Sequence, residues 1–316
     1  MKVIEHLARA KDTLISFEIV PPLRGKTIKE IFNITESLLP FNPSWIEVTA
    51  HASVSEFVEN PDGSLRRVVS KKRPGTIGIC GVIQNRFQID AVTHLLCLGY
   101  SKEETEDALI ELNYLGIENI LALRGDLPNF QKPHLKDHVT NEYAIDLVKQ
   151  IKDLKQGKYT HSLDEACKGL DFCVGVAGYP EKHLEAPNLQ TDLQFLKAKV
   201  DAGSDYIVSQ MFFDNSKYFQ YVKACRDLKI EVPIIPGLKV IRTPAQLKRL
   251  PKTFNVDIPS EVSREIMENP KHAEEIGIQH CFKQCEDLLN NKVPVLHFYV
   301  LNDVSAVATV LKKLGF

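Results

Sequence analysis

Short, nearly uninterrupted apolar runs recur along the chain, separated by stretches in which apolar residues return every three or four positions. The runs are 14–20, 45–50, 77–83, 119–123, 172–177, 206–211, 233–238 and 295–301. Their length and apolarity predict strands covered on both faces, as in a parallel sheet. The segments 102–115, 141–154, 189–202 and 216–228 are amphipathic and predict helices between them. Eight strands alternating with helices predict an α/β fold, a (β/α)8 TIM barrel filling 1–316 as one catalytic domain with extra helices and loop insertions. A doubly wound sheet is the structural rival. It calls for a dinucleotide fingerprint, and no G-x-G-x-x-G occurs.

Two polar insertions interrupt the alternation. Residues 51–75 follow the second strand and carry Arg66-Arg67 and Lys71-Lys72-Arg73, which read as a solvated face with a phosphate contact as the lesser reading. Residues 155–171 precede the fifth strand, and 251–291 read as extra helix before the last.

A barrel carries its chemistry at the carboxyl ends of its strands. In chain order those ends offer Glu18 and Thr49 with His51, then His94 in the segment after strand three. Arg124 with Asp126, Tyr179 to His183, Gln210, Lys239 and Asn302-Asp303 follow. The run Ile120-Leu121-Ala122-Leu123-Arg124-Gly125-Asp126 passes abruptly from an apolar strand to a cation, a glycine and an anion. An exposed ion pair there stabilises little, so the position favours ligand binding.

Side chains alternate along a strand, so Ile15, Phe17 and Ile19 share the face towards the helices. Leu14, Ser16, Glu18 and Val20 then point into the barrel. A carboxyl group among apolar neighbours holds its proton to higher pH and can act as a general acid. Glu47 alternates with Thr49 and is a rival inward carboxylate, deeper in its strand. In 189–202, Leu189, Leu193, Leu196 and Val200 form the buried stripe. Asp192, Phe195 and Lys199 lie on the next one, facing either a ribose and a phosphate or solvent.

Composition narrows the partners. The 316 residues are 44% hydrophobic and 25% charged, with a net charge of −2, which gives no footprint for nucleic acid or an anionic membrane. No apolar run approaches the ~20 residues of a membrane span. Charges through the first residues argue against a signal peptide, so a cytoplasmic protein is expected. The seven cysteines include no C-x-x-C pair and read as reduced thiols. His280, Cys281 and Cys285 lack further well-spaced ligands, so no metal site is expected. Ser/His/Asp order, H-E-x-x-H, a P-loop and a nucleophilic-cysteine signature are all missing, which argues against hydrolase and kinase chemistry. The residues themselves lead to a barrel enzyme with an acid on strand one and a large polar ligand.

Seven segments in order extend this reading. They are Ser16-Phe17-Glu18-Ile19-Val20-Pro21-Pro22, Ala122 to Asp126, Gly178 to Ala186, Lys199 to Gly203, Gln210 to Asp214, Ile235-Pro236-Gly237 and His297-Phe298-Tyr299. Together they resemble the FAD-dependent methylenetetrahydrofolate reductase family across nearly the whole chain. The resemblance implies reduction of 5,10-methylenetetrahydrofolate to 5-methyltetrahydrofolate by NADH or NADPH, with FAD relaying hydride in two half-reactions. Glu18 matches the proton donor to N10, whose protonation opens the ring to an iminium. Asp126 matches the carboxylate near flavin and pterin. FAD contacts carry over to Ala50, Ala52, His94, Arg124, Gly125, Asp126, Ala144, Tyr179, His183, Ala186, Asp192 and Lys199. Thr49 matches a nicotinamide-side contact, Gln210 an amide shared by pterin and nicotinamide, and Gln246 a folate contact. A homo-oligomer is implied as well.

The chain departs from the pattern at Phe195 and Ala198, near the flavin diphosphate, which moves phosphate contacts to Lys199 or Lys197. It departs again at Leu250, and at Asp303, where relatives often carry Arg. Two other readings stay open at this point: a flavin-free folate- or pterin-binding barrel, and a non-catalytic barrel subunit of a one-carbon complex.

Overall fold

A computed structural model describes residues 1–125, 138–161 and 167–316. Asp126, one of the two expected catalytic carboxylates, lies outside them. The strands are β1 (Leu14–Ile19), β2 (Trp45–Val48), β3 (Val54–Glu59), β4 (Leu65–Ser70), β5 (Asp90–Leu96), β6 (Asn119–Leu123), β7 (Cys173–Gly178), β8 (Tyr206–Ser209), β9 (Ile234–Ile235), β10 (Gly237–Leu238) and β11 (Val295–Leu301). Helices α1 (Val3–Arg9), α2 (Lys29–Leu38), α3 (Thr76–Phe87), α4 (Lys102–Tyr114), α5 (Ala144–Lys155) and α6 (Leu189–Asp201) occupy the first two thirds. They are followed by α7 (Asn215–Asp227), α8 (Pro244–Phe254), α9 (Ser260–Glu268), α10 (Ala273–Asn290) and α11 (Ser305–Leu314).

Nine parallel strands run in the order β10-β11-β1-β2-β5-β6-β7-β8-β9. β9 and β10 are two halves of one strand broken at Pro236, which has no N–H to give a neighbour. β9 pairs with β8 and β10 with β11, so the broken strand brings the two edges of the sheet together. The result is the expected TIM-barrel-like α/β fold with eight strand positions.

One strand is not where the apolar pattern put it. Residues 77–83 lie in helix α3, where Ile79, Cys80 and Ile83 are buried against the barrel. An apolar run this short fits a buried helix as well as a strand. The third barrel position belongs to β5, whose Thr93 and His94 interrupt the apolar signal. His94 is therefore on a strand and not in the segment after one. The expected polar loop 51–75 contains the antiparallel hairpin β3–β4, turned by Pro61-Asp62-Gly63 with Gly63 at φ +79°. Its base is tied to the exit of β1, where the Arg24 N–H donates to the Lys72 carbonyl at 2.9 Å.

The core has two layers. Ile15, Phe17 and Ile19 pack outward with helix residues such as Ile31 and Leu38. Trp45, Val92, Leu121, Tyr206 and Val295 fill the barrel interior, and Val3 of α1 plugs its amino end. The alternation expected along β1 is thus the one observed. Among the described residues, no helix is long and apolar enough to cross a membrane.

Candidate active site

Above the apolar interior the side chains turn polar. Glu18 on β1, Glu47 on β2 and His94 on β5 point inward from three adjacent strands and are all buried. His94 Nε2 donates to Glu47 Oε2 at 3.2 Å and lies 3.6 Å from Glu18 Oε2. Trp45 Nε1 donates to the other Glu47 oxygen at 3.2 Å.

Burial pushes the Glu18 carboxyl up to about 7, only partly offset by the His94 charge. The same burial would raise Glu47, but His297, His94 and the Trp45 donor hold it below the usual carboxylate range. His94 is raised despite desolvation, by its bond to Glu47 and the charge of both carboxyl groups. The shifts thus alternate, favouring the protonated form of Glu18, the cationic form of His94 and the anionic form of Glu47. Lys239, at the exit of β10, also faces Glu18; burial lowers it to about 8, and its Nζ donates to the Tyr299 carbonyl at 3.3 Å.

A second group lies on the β6–β7–α6 side. Arg124 ends β6 and is gripped by Glu185, Nη1 to Oε2 at 2.7 Å and Nη2 to Oε1 at 2.5 Å. Its guanidinium carbon stands 5.9 Å from the Tyr143 ring centroid, beside Ala144, which opens α5. Gly125 sits at φ +85°, a conformation suited to glycine. Tyr179 and His183 meet edge to face at 4.7 Å. The His183 N–H donates to Asp192 Oδ2 at 2.8 Å, and desolvation keeps the imidazole below its ordinary value. The Ala186 N–H closes the loop on the His183 carbonyl at 3.0 Å.

Lys199 points inward from α6, donating to the Ala177 carbonyl at 2.7 Å, and burial lowers it to about 8. Gly178, Tyr179, Asp192, Lys199 and Tyr221 help to line a narrow recess between β7, α6 and α7. Asp192 and Lys199 thus face this recess and not open solvent.

A family model described as methylenetetrahydrofolate reductase matches residues 3–315. The chain belongs to the methylenetetrahydrofolate reductase family. It is 29% identical to the probable methylenetetrahydrofolate reductase (NADPH) of Caenorhabditis elegans, over 99% of this chain and 44% of that protein. It is 30% identical to methylenetetrahydrofolate reductase (NADH) 1 of Arabidopsis thaliana, over 100% of this chain and 51% of that one. The chain therefore spans about half the length of these relatives. Against the 5,10-methylenetetrahydrofolate reductase of Salmonella typhimurium it is 30% identical, over 95% of this chain and 90% of the other. Among solved structures, a Clostridium thermocellum protein described as binding two copies of 5-methyl-5,6,7,8-tetrahydrofolic acid superposes with a TM-score of 0.62 at 11% identity. That match covers 99% of this chain and 98% of the other, and it shows the fold alone.

The remaining positions singled out from the family resemblance lie around the same rim. Thr49 follows β2, its Oγ1 3.5 Å from His51 Nδ1, with Ala50 and Ala52 half-buried beyond it. The Gln210 carboxamide oxygen accepts from the Met211 N–H at 2.9 Å. Gln246 is buried and its oxygen accepts from the N–H groups of Arg242 and Thr243, at 2.6 and 3.0 Å, capping α8. Any contact it makes to folate thus falls to its amide nitrogen.

At the positions expected to depart from the family resemblance, the surroundings are as follows. Lys197 pairs with Asp201, whereas Phe195 is exposed. Leu250 is buried among Met211, Phe213 and Ile241. Asp303 is neutralised by Arg242 at 2.7 Å, so the acid there does not stand alone. His280 turns to the Phe213 carbonyl at 2.9 Å, while Cys281 and Cys285 pack in the core.

Sequence reading underrated Glu47, Lys239 and Tyr221. The first was visible as an inward partner of Thr49. Lys239 was visible as the polar end of its strand, and nothing in the local pattern marks Tyr221.

Proposed function

We propose that this chain reduces 5,10-methylenetetrahydrofolate to 5-methyltetrahydrofolate with NADH or NADPH and bound FAD, using Glu18 as the general acid. The observation that carries the proposal is the burial of Glu18 on the inward face of β1, 3.6 Å from His94. A buried carboxyl at the mouth of the barrel, raised to about 7, keeps a proton to give at neutral pH.

The residues of the second group fit a flavin dinucleotide. Arg124 and Lys199 are cations suited to a diphosphate, and Asp192 is an acceptor suited to ribose. Gly125, Ala144, Tyr179, His183 and Ala186 complete that wall, with His94 on the adjoining strand β5 and Ala50 and Ala52 after β2. When bound, FAD supplies the hydride relay between nicotinamide and folate.

The chain's own residues do the rest. Gln210 and Thr49 orient the pterin and the nicotinamide, which use the site in turn, and Gln246 meets the folate. Glu18 gives its proton to N10, and the N10–CH2 bond breaks as the five-membered ring opens. Asp126 stands as the carboxylate that accompanies the developing positive charge. The NADH and NADPH names among the relatives leave both reductants as substrates of this proposal.

The test separates the two half-reactions. FAD-loaded protein is reduced anaerobically with each nicotinamide and then mixed with methylenetetrahydrofolate. Glu18→Gln is expected to keep flavin bleaching and to lose folate reduction by about 10²-fold or more. Undiminished folate reduction in that variant, or wild-type protein that takes up no FAD, overturns the proposal.

A further inference from the structure

We propose that Glu47 is a positioning residue for this reaction: it holds His94 as a cation between two carboxyl groups, so that the charge left on Glu18 after proton transfer meets a counter-charge 3.6 Å away. The inference rests on the reading of Glu18 as the acid and assigns a role to a carboxylate that the reaction itself does not consume.

Glu47 has no solvent exposure, yet His297, His94 and Trp45 hold its carboxyl below the usual carboxylate range despite that burial. A buried carboxylate persists only where donors and opposite charge meet both oxygens. Trp45 serves one oxygen and His94 the other, each at 3.2 Å. Because Glu47 can only accept, the proton between them sits on His94 Nε2. An imidazole buried this deeply without an anion would shed its second proton. With Glu47 beside it, the ring stays charged, and the edge that bonds Glu47 also faces Glu18.

The charge balance then follows the proton. Before transfer, neutral Glu18, cationic His94 and anionic Glu47 sum to zero. After transfer to N10, Glu18 is an anion, and the cluster carries one negative charge. Two carboxylates and no cation would be a strongly disfavoured product, because like charges at this spacing do not both ionise readily. The imidazolium removes that obstacle.

Other groups also face these residues. Lys239 and Tyr299 face Glu18, and His297 and Tyr206 face Glu47. His297 is held below its ordinary value by burial, and its Nδ1 lies 2.9 Å from Ser16 Oγ. Removing the Glu47 charge also alters the field at His297, Tyr206 and Tyr299, so Glu47→Gln is read against Glu47→Asp, which keeps that charge, and against His94→Asn, which removes the cation alone.

The experiment is the pH dependence of folate reduction by pre-reduced, FAD-loaded enzyme in single turnover. Wild type, Glu47→Gln, Glu47→Asp and Glu18→Gln are compared. In Glu47→Gln the ring becomes neutral. Glu18 then loses an attraction that outweighs the repulsion from Glu47, so its midpoint should rise by about half a pH unit or more. Glu47→Asp keeps the charge and is expected to restore the wild-type midpoint. An unmoved or lowered midpoint in Glu47→Gln, or equal displacement in Glu47→Asp, overturns the inference. His94→Asn removes the cation directly. It should raise the midpoint likewise, and it decides the question if Glu47→Gln does not fold. If Glu18→Gln retains the pH-dependent limb, the parent reading fails. If Glu18→Gln abolishes turnover while Glu47→Gln leaves the midpoint in place, only this inference fails.

Discussion

Glu185 closes both carboxylate oxygens on Arg124, at 2.7 and 2.5 Å, and so ties the loop between β7 and α6 to the end of β6. The pair raises Arg124 and lowers Glu185 from their ordinary values. Glu185 is exposed, so solvent screens most of the energy of the pair. Its consequence is geometric: the guanidinium is held at the strand end before any anion arrives. Arg124→Met is therefore expected to cost less than about 1 kcal/mol of stability, but to weaken FAD binding by about tenfold or more. Urea denaturation of the apoprotein and quenching of flavin fluorescence measure the two effects. A large stability loss with unchanged FAD affinity would make the pair purely structural.

Lys199 sets function against stability. Its folded value is lowered to about 8, so the unfolded chain binds more protons between about 8 and the ordinary lysine value. Stability from this group therefore rises with pH across that window, and the penalty is fully present below it. Lys199→Met should stabilise the apoprotein at pH 7 by about 1–2 kcal/mol, allowing for its partial exposure. The gain should vanish near pH 11, while FAD affinity falls at every pH. Thermal melts at the two pH values, with and without flavin, test this; a variant less stable at pH 7 counts against it.

For Glu18 the sign is opposite. Its folded value near 7 exceeds the unfolded carboxyl value, so the native state binds the extra proton between about pH 4.5 and 7. Stability from this group is fully present below that window and is lost as pH rises through it. Glu18→Gln should match wild type at pH 4.5 and exceed it at pH 8, by up to about 3 kcal/mol. Equal stability of the two proteins at pH 8 would mean that Glu18 is not held protonated by burial.

These sites differ in how far the sequence revealed them. Period-two alternation placed Ser16 and Glu18 inside the barrel and Phe17 outside, because one face of β1 is filled by helices. The same rule put Glu47 inward, but period alone does not tell that His94 lies on the neighbouring strand within reach. That fact depends on which apolar run becomes β5. Residues 77–83 are more apolar than 90–96, yet they form α3, since burial and not strand formation is what apolarity reports. Asp192 and Lys199 share a stripe on α6, and spacing left open whether it faced solvent. Packing of Tyr221 and the β7 exit decides that. Asp303, where relatives often carry Arg, is met by its long-range partner Arg242, which no local pattern pairs with it.

Gly178 is where the strand, the loop and α7 meet, and it offers a sharp test of the recess. A Cβ there would lie 2.0 Å from Tyr221 Oη and 2.8 Å from Ile207 Cγ2. Tyr221 is only 2% exposed. Overpacked cores relax by distorting backbone or rotamers, at about 1–3 kcal/mol. Gly178→Ala is thus expected to destabilise the protein by about 2 kcal/mol and to push the Tyr179–His183 loop away from Lys199, weakening FAD binding as well. Tyr221→Phe removes the closest contact and leaves the ring carbon 3.1 Å from the new methyl. The double variant should therefore recover part of the loss, giving a coupling energy beyond about 0.5 kcal/mol in a double-mutant cycle. Strict additivity of the two substitutions would show that the clash is relieved elsewhere, and that Tyr221 does not set the width of the recess.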